Sequence, residues 1–581
     1  MAEKIVSPGV FTRENDLSFL PAGVGAIGAA IVGPTVKGPA GIPTMVTSYA
    51  EYVEKFGDTF QSGSDYYQYL TSHTAERYLQ FGGALTVVRV AGTGVAIATA
   101  SANTSSAATT VGGKVFTLHT LAHGSVLNNA GSTIGENQQL SEGTKDNLRW
   151  EVTGKNTTTG TFNLLLRRGN DTSNNKVILE QFNGVNLDPN SPNYISKAIG
   201  DSFDTTAGTT ADPYIQANGS YVRKSSYIRV EVHKQTVNYL DENGSIRLSA
   251  ASASLPANGS GSLQGQFGGG SDGATVAGAT ITDLNTQGLD ANDLSNTNGG
   301  VKYAEALQLL ANQDFYDINM IIVPGVNQKD HAAVVNKAIT VCETRGDAIA
   351  IVDPVRYGTT TLSTVTGEAN DYNSSYAAMY WPWVQIADNQ LGKNVWVPPS
   401  VVMPGVMAYS DNVAAEWYAP AGLNRGGITA IKAERNLTHT NRDTLYENRI
   451  NPIATFPGVG VCAWGQKTLQ KRPSALDRIN VRRLLINLKK FIASTSKYLV
   501  FEQNTVATRN RFLSAVVPYM EEVQANQGLF AFKVVMDATN NTPEVVDRNI
   551  LKGDIFLQPA KAAEFIVIDF NVMPTGATFA D

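Results

Sequence analysis

Cysteine is nearly absent from this chain. Its 581 residues include two, Cys342 and Cys462, each in an apolar context. That excludes a disulfide framework and the cysteine-rich zinc patterns, and it suits two buried free thiols in a protein made in a reducing cytoplasm. Histidine is scarce as well: the six are scattered away from any plausible serine or cysteine nucleophile. His119 and His123 have i, i+4 spacing, but L-H-T-L-A-H-G is strand-like and lacks the glutamate of H-E-x-x-H, so no metal is expected there. Long hydrophobic runs are missing. The longest, Val24–Val32, is broken by Gly25 and Gly28, so neither a spanning helix nor direct membrane insertion is expected. Met1–Val10 lacks the apolar stretch of a signal peptide, and the expectation is a protein that stays soluble in the cytoplasm. The net charge of −6 does not advertise nucleic-acid binding.

Catalytic and nucleotide motifs are also lacking. In Gly460–Thr468, G-V-C-A-W-G-Q-K-T, Gln466 stands where a phosphate-binding loop needs lysine directly after the second glycine, and Val461 and Trp464 are too bulky for such a loop. G-G-G-S-D-G (Gly268–Gly273) has no strand leading in, no helix leading out and no lysine after it, which makes it a flexible junction. Asp353 ends an apolar strand as a magnesium-binding aspartate would, but its partner motif is missing. No G-x-S-x-G elbow occurs. Asp and Glu are abundant, and nothing singles out a catalytic pair. No enzyme activity, cofactor or metal is expected.

What is present suits a globular, strand-rich protein long enough for three or four domains: 42% hydrophobic residues and 53 glycines. V-S-P-G-V-F-T-R (Val6–Arg13) reads as an extended arm. Val24–Pro34 reads as a buried strand, Tyr49–Phe56 and Ser64–Phe81 as helices, and Ala84–Val90 as a second buried strand. From about Gly92 the composition turns to Ala, Ser, Thr, Gly and Asn, and short strands recur from Leu148. Residues 241–300 are linker-like. Asp317–Val323, Lys329–Arg345 and Ala348–Val352 spell the clearest strand–helix–strand unit. Ser375–Val384 is rich in buried-looking aromatics. Leu513–Gln527 reads as a helix, and Phe530–Met536 and Glu564–Phe570 as strands.

The chain is organised around Arg449–Phe501. A strand-like first half is followed by a helix that Ser474 can cap, about 40 Å long if it runs to Phe501. On a helical wheel Val481, Leu484, Leu485, Leu488, Phe491, Ile492 and Leu499 share one arc. Arg478, Arg482, Arg483, Lys489, Lys490 and Lys497 share the opposite one. A solvated face is the ordinary explanation, but six basic residues without an acidic one, in an acidic chain, point to a partner surface.

These residues also carry a resemblance. N-P-I-x-T-F-P-G-x-G-x-x-x-W-G-x-x-T-L followed by I-N-V-R-R-L resembles the C-terminal signature of contractile tail sheath proteins of bacteriophages. Similar matches are the P-G-V-F start, I-V-G-x-x-x-x-G-P with V-x-R-V, N-L-D-P-N-S-P-N-Y-I, and V-P-G…C-E-T-R-G-D-A-I-A-I-V-D-P. Together they span most of Ser7–Phe570 apart from about 93–145.

The resemblance implies a mixed α/β and α+β multidomain fold. An α/β sheath domain would comprise 23–92 and 270–365, and a β-rich outer domain with a Gly/Ser-rich linker would be inserted at 93–269. A C-terminal inner domain would occupy 366–570, and arms would lie at 1–22 and 571–581. It implies a virion protein, assembled in the host cytoplasm as stacked six-fold rings around a tail tube, with the tube, baseplate and tail terminator proteins as further partners. Pro8, Gly9, Val10 and Phe11, with Phe565, Ile566, Val567, Ile568 and Phe570, would pair strands between subunits, and the six basic residues would face the tube. The sheath of a bacterial contractile injection system or phage-tail-like bacteriocin is the related alternative. A polysaccharide-active surface enzyme or adhesin is the alternative of a different class.

Overall fold

The structure, a computed structural model, describes residues 28–62, 64–104, 113–129, 134–259, 265–273 and 300–566. The described residues divide into two compact units, one within 28–486 and one within 487–566.

The first unit is built on an eight-stranded sheet. Its spatial order is Thr44–Val46, Leu85–Arg89, Gly28–Gly33, Ile318–Asn327, Ile349–Asp353, Ala377–Trp381, Ile450–Phe456 and Gly460–Ala463. The six inner strands are parallel, and the two outermost pair antiparallel to their neighbours. A parallel strand is covered on both faces, so its sequence is a run of apolar residues rather than an alternation. Every residue of Gly28–Gly33, Ile318–Asn327, Ile349–Asp353 and Ala377–Trp381 is buried.

The pleat sends neighbours to opposite cores. Ala30, Val32, Ile321, Ala350 and Met379 meet Val335, Ile339 and Cys342 of helix Gln328–Arg345 on one side. Ala29, Ile31, Ile322, Ile351 and Tyr380 meet Tyr52, Phe56, Leu70 and Met403 on the other. Local chemistry marks the helix ends. The Asn327 side chain accepts from the Asp330 N–H (3.0 Å), and Gly346, at φ 69°, lets its N–H reach the Cys342 carbonyl (2.8 Å).

Two expectations are corrected here. The boundary expected at 365/366 cuts this sheet, because Ala377–Trp381 and Ile450–Phe456 continue it; the compact units divide at 486/487 instead. The helix expected over Ser64–Phe81 starts only at Leu70 and ends at Leu79. Thr59–Ser62 and Asp65–Gln68 form a hairpin before it, with Phe60 stacked on Tyr69 (4.2 Å between ring centres) and tilted on Tyr67 (5.9 Å). Aromatic cross-strand pairing outweighs the helical spacing there.

Between Leu85–Arg89 and helix Gly300–Leu309, the described residues form two three-stranded antiparallel sheets and a hairpin, Phe203–Thr209 with Asp212–Asn218. The two sheets share one core, in which Phe116 stacks on Phe162 (5.9 Å). A buried ion network braces one end of it. Arg167 grips Asp171 with two nitrogens (2.7 and 2.8 Å), and Arg149 adds a third bond to the same carboxylate (3.1 Å).

In the second unit, helix Val506–Ala525 packs Phe512, Val516, Met520 and Val523 into a small core with Leu529 and Met536. Leu529–Val535 and Asp554–Pro559 form an antiparallel hairpin.

Candidate assembly surfaces

Helix Ile479–Lys497 follows a short turn, Ala475–Asp477, where Ser474 Oγ accepts from the Leu476 N–H (3.1 Å). Its basic residues do not form one exposed stripe, which corrects the surface expected from the wheel. Arg482 and Arg483 are each 3% exposed. Arg483 pairs with Asp411 of helix Pro399–Val413. Arg482 lies over the Tyr376 ring (4.1 Å to its centre) and donates to the Ser375 hydroxyl. Burial pulls the Arg482 pKa down; the same burial opposes the Arg483 charge, but Asp411, together with Glu416 and Tyr78, more than offsets it. Arg478 is half-buried against Asp477 (3.0 Å), and Lys490 is buried. Lys489 and Lys497 are exposed. The wheel separated the faces of one helix, but Ser375, Tyr376 and Asp411 cover Arg482 and Arg483 on its basic side.

The strand-exchange residues are divided. Pro8, Gly9, Val10 and Phe11, with Val567, Ile568 and Phe570, lie outside the described residues. Phe565 and Ile566 are described: both are 80% exposed and belong to no strand.

One surface escaped the sequence reading. The hairpin Leu529–Val535/Asp554–Pro559 is a complete two-stranded sheet, so among the described residues each strand has one side paired and one open. Phe530 and Phe556 on it are 71% and 60% exposed. Open strand edges beside exposed aromatics are an uncovered template for another strand. The signal lay in L-F-A-F-K-V-V, which reads as a strand, and in D-I-F-L-Q-P, for which no strand is expected; neither announces that, among the described residues, the two pair with each other alone.

Residues that imitate catalytic motifs have structural roles. Asp353 accepts from Ser400 N (3.1 Å) and Oγ (2.5 Å) and so caps helix Pro399–Val413; burial pushes its carboxyl up to about 7, against those two bonds. Lys467 donates to the Tyr446 carbonyl (2.8 Å) and lies over its ring. His119 bonds Glu231 (2.9 Å), whereas His123 accepts from the Ala40 N–H (3.3 Å). Among the described residues no group of His, Cys, Asp and Glu could hold a metal, and no helix is long and apolar enough to cross a membrane.

Residues 299–469 match the phage tail sheath protein central domain, and residues 471–573 match the phage tail sheath C-terminal domain. The second half of the chain belongs to the phage tail sheath family. The tail sheath protein of Vibrio phage KVP40 is 34% identical over 325 residues, which cover 54% of this chain and 47% of that protein. The tail sheath protein of Enterobacteria phage T4 is 33% identical over 295 residues, covering 47% and 45%. The chain thus spans about half the length of the curated relatives it matches. In fold it is similar to the sheath tail protein of Listeria innocua, with a TM-score of 0.52 at 12% identity over 89% of this chain and 90% of that one. The buried Arg482 and Arg483 and the open hairpin both fall within the matched C-terminal sheath domain.

Proposed function

We propose that this chain is the structural subunit of a contractile phage tail sheath, polymerising as stacked six-fold rings around a tail tube. In this reading the lattice assembles extended and metastable, and its contraction drives the tube through the host envelope. The work comes from conformational free energy stored on assembly, so no enzymatic step is required. The subunit resides in the virion tail, is assembled in the host cytoplasm, and meets its own copies, the tube, the baseplate and the tail terminator. The observation that carries this reading is the run of two adjoining sheath-domain matches over 299–573.

The links between subunits are proposed to be exchanged strands. The open hairpin Leu529–Val535/Asp554–Pro559 is the acceptor. The donors are segments of other copies around Pro8, Gly9, Val10 and Phe11 and around Phe565–Phe570. Main-chain hydrogen bonds can persist while a linker hinges, which a rotating subunit requires. Burial of Arg482 and Arg483 narrows the proposed tube contact to Lys489 and Lys497, with Arg478 at its margin.

Negative-stain electron microscopy of the purified chain, alone and mixed with tube protein, tests the reading. Hollow tubes or stacked rings are expected, and small soluble particles after deletion of residues 1–20. A full-length chain that stays monodisperse even with tube protein would refute the function. Polymers that survive the deletion would refute the N-terminal donor.

A further inference from the structure

Where the chain leaves the parallel sheet for the β-rich insertion, it pairs with residues 271–272 at the insertion's far end in a two-stranded neck. Gly92 N–H donates to the Asp272 carbonyl (3.0 Å), and Ala96 and Ser271 exchange both backbone bonds (2.9 and 3.0 Å). The two segments approach closely: at Gly273, with φ 85°, a Cβ would lie 2.2 Å from the Gly92 oxygen. A paired neck alone could still swing about its root.

Arg89, the last residue of core strand Leu85–Arg89, sits at that root and is 2% exposed. Its guanidinium reaches three segments at once. Nη1 donates to the Gly38 carbonyl of the sheet's first connection (2.9 Å) and to the His123 carbonyl at the end of insertion strand Lys114–His123 (2.6 Å). Nη2 donates to Asp272 Oδ1 on the returning segment (2.7 Å). The other Asp272 oxygen accepts from the N–H and hydroxyl of Ser125, which follows that same strand. Gly124 makes the turn possible: its φ is 133°, and a Cβ there would lie 3.0 Å from Asp272 Oδ1 and 3.2 Å from the Val36 carbonyl. Burial and the neighbouring guanidinium hold the His123 pKa down at about 4, so the ring stays neutral and Nδ1 keeps accepting from the Ala40 N–H.

We propose that Arg89 is a latch that locks the insertion onto the parallel sheet, so that the two move as one body and the neck does not hinge. Other ties cross the same junction, such as Lys37 to Asp146 (2.9 Å) and Lys145 to Asp58 (2.7 Å). Each joins one side chain to one other. Arg89 joins the core, the outgoing β-sheet and the return path, and its burial leaves water no room to replace it. The proposal does not depend on the sheath function.

Hydrogen exchange read by mass spectrometry on the full chain tests it, with peptides covering 92–99, 268–273 and 318–327. In Arg89→Met and in Asp272→Asn, exchange in the two neck peptides is expected to rise about tenfold or more, while the sheet peptide is unchanged. Lys37→Met is expected to leave the neck at its original rate. Should Arg89→Met not fold, Asp272→Asn decides, because Asp272 is half-exposed and stands outside the apolar core. Unchanged neck exchange in Asp272→Asn would overturn the latch. So would an equal rise in Lys37→Met, which would mean general loosening.

Discussion

The main sheet of the first compact unit and the hairpin of the second handle unpaired backbone in opposite ways. In the sheet the inner strands are parallel, buried on both faces and flanked by short antiparallel strands. Around one of those outer strands, Gly460–Ala463, the chain folds back so that Ile428 N–H reaches the Val461 carbonyl (2.9 Å) and Ala463 N–H the Gly426 carbonyl (2.8 Å). In the other unit the hairpin Leu529–Val535/Asp554–Pro559 has two open sides and exposed Phe530 and Phe556. Apolar side chains of that sheet hold the fold. Phe530 and Phe556 on the hairpin are placed where folding gains little from them, which fits the proposed addition of another strand there.

If that contrast is right, the largest effects on stability come from the sheet. Ile351→Ala removes a fully buried side chain from a parallel strand, and the expected loss is about 2–5 kcal/mol. Urea denaturation checks it; a loss under about 1 kcal/mol would mean that this core is loosely packed. Arg483→Ala comes next. It strands Asp411 beside a newly empty space, and about 3 kcal/mol is expected. Lys497→Ala, on the same helix but exposed, is expected to stay within about 0.5 kcal/mol. Similar losses from the two would end the distinction between buried and exposed basic residues.

A smaller effect separates the units by pH. His73 is buried in helix Leu70–Leu79, and burial pushes its pKa down to about 4, against the pull of Asp388, whose Oδ2 lies 3.8 Å from Nε2. A base whose folded pKa is depressed binds fewer protons folded than unfolded. The contribution of His73 is therefore full above about pH 6.5 and is lost as the pH falls toward 4, by up to about 1.4 kcal/mol per pH unit, a share that adds to that of His123 in the same unit. His73→Gln should flatten that slope in thermal melts between pH 6.5 and 5. An unchanged slope would assign the acid sensitivity elsewhere.

Much of the sheet was legible in the sequence because parallel strands advertise themselves. D-I-N-M-I-I-V-P-G and A-I-A-I-V-D-P are apolar runs closed by turn residues, and they become Ile318–Asn327 and Ile349–Asp353. The basic helix was legible as a helix but not as a surface. What Arg482 and Arg483 face is decided by Ser375 and Asp411, 107 and 72 residues earlier in the chain, and helical periodicity carries no information about partners so remote. Ser64–Gln68, the start of the helix expected over Ser64–Phe81, failed for the converse reason. Its helix-like spacing is local, while the contacts that decide it are cross-strand ring pairs. Of the hairpin, Phe530–Met536 was legible as a strand and Asp554–Pro559 was not; that neither gains another neighbour among the described residues depends on the rest of the chain.

Another small effect on stability tests the comparison most sharply. Phe530→Ser and Phe556→Ser together remove two rings that already face solvent, so the unfolding free energy should change by less than about 1 kcal/mol. If strands of other copies are added at the hairpin, those rings become buried on assembly, and the double variant should stay as small particles under conditions where the parent chain forms polymers. Electron microscopy and a denaturation curve on the same preparation separate the outcomes. Polymers from a variant of unchanged stability would remove the hairpin from the interface. A stability loss comparable to that of Ile351→Ala would place the two rings in the folding core and erase the contrast between the units.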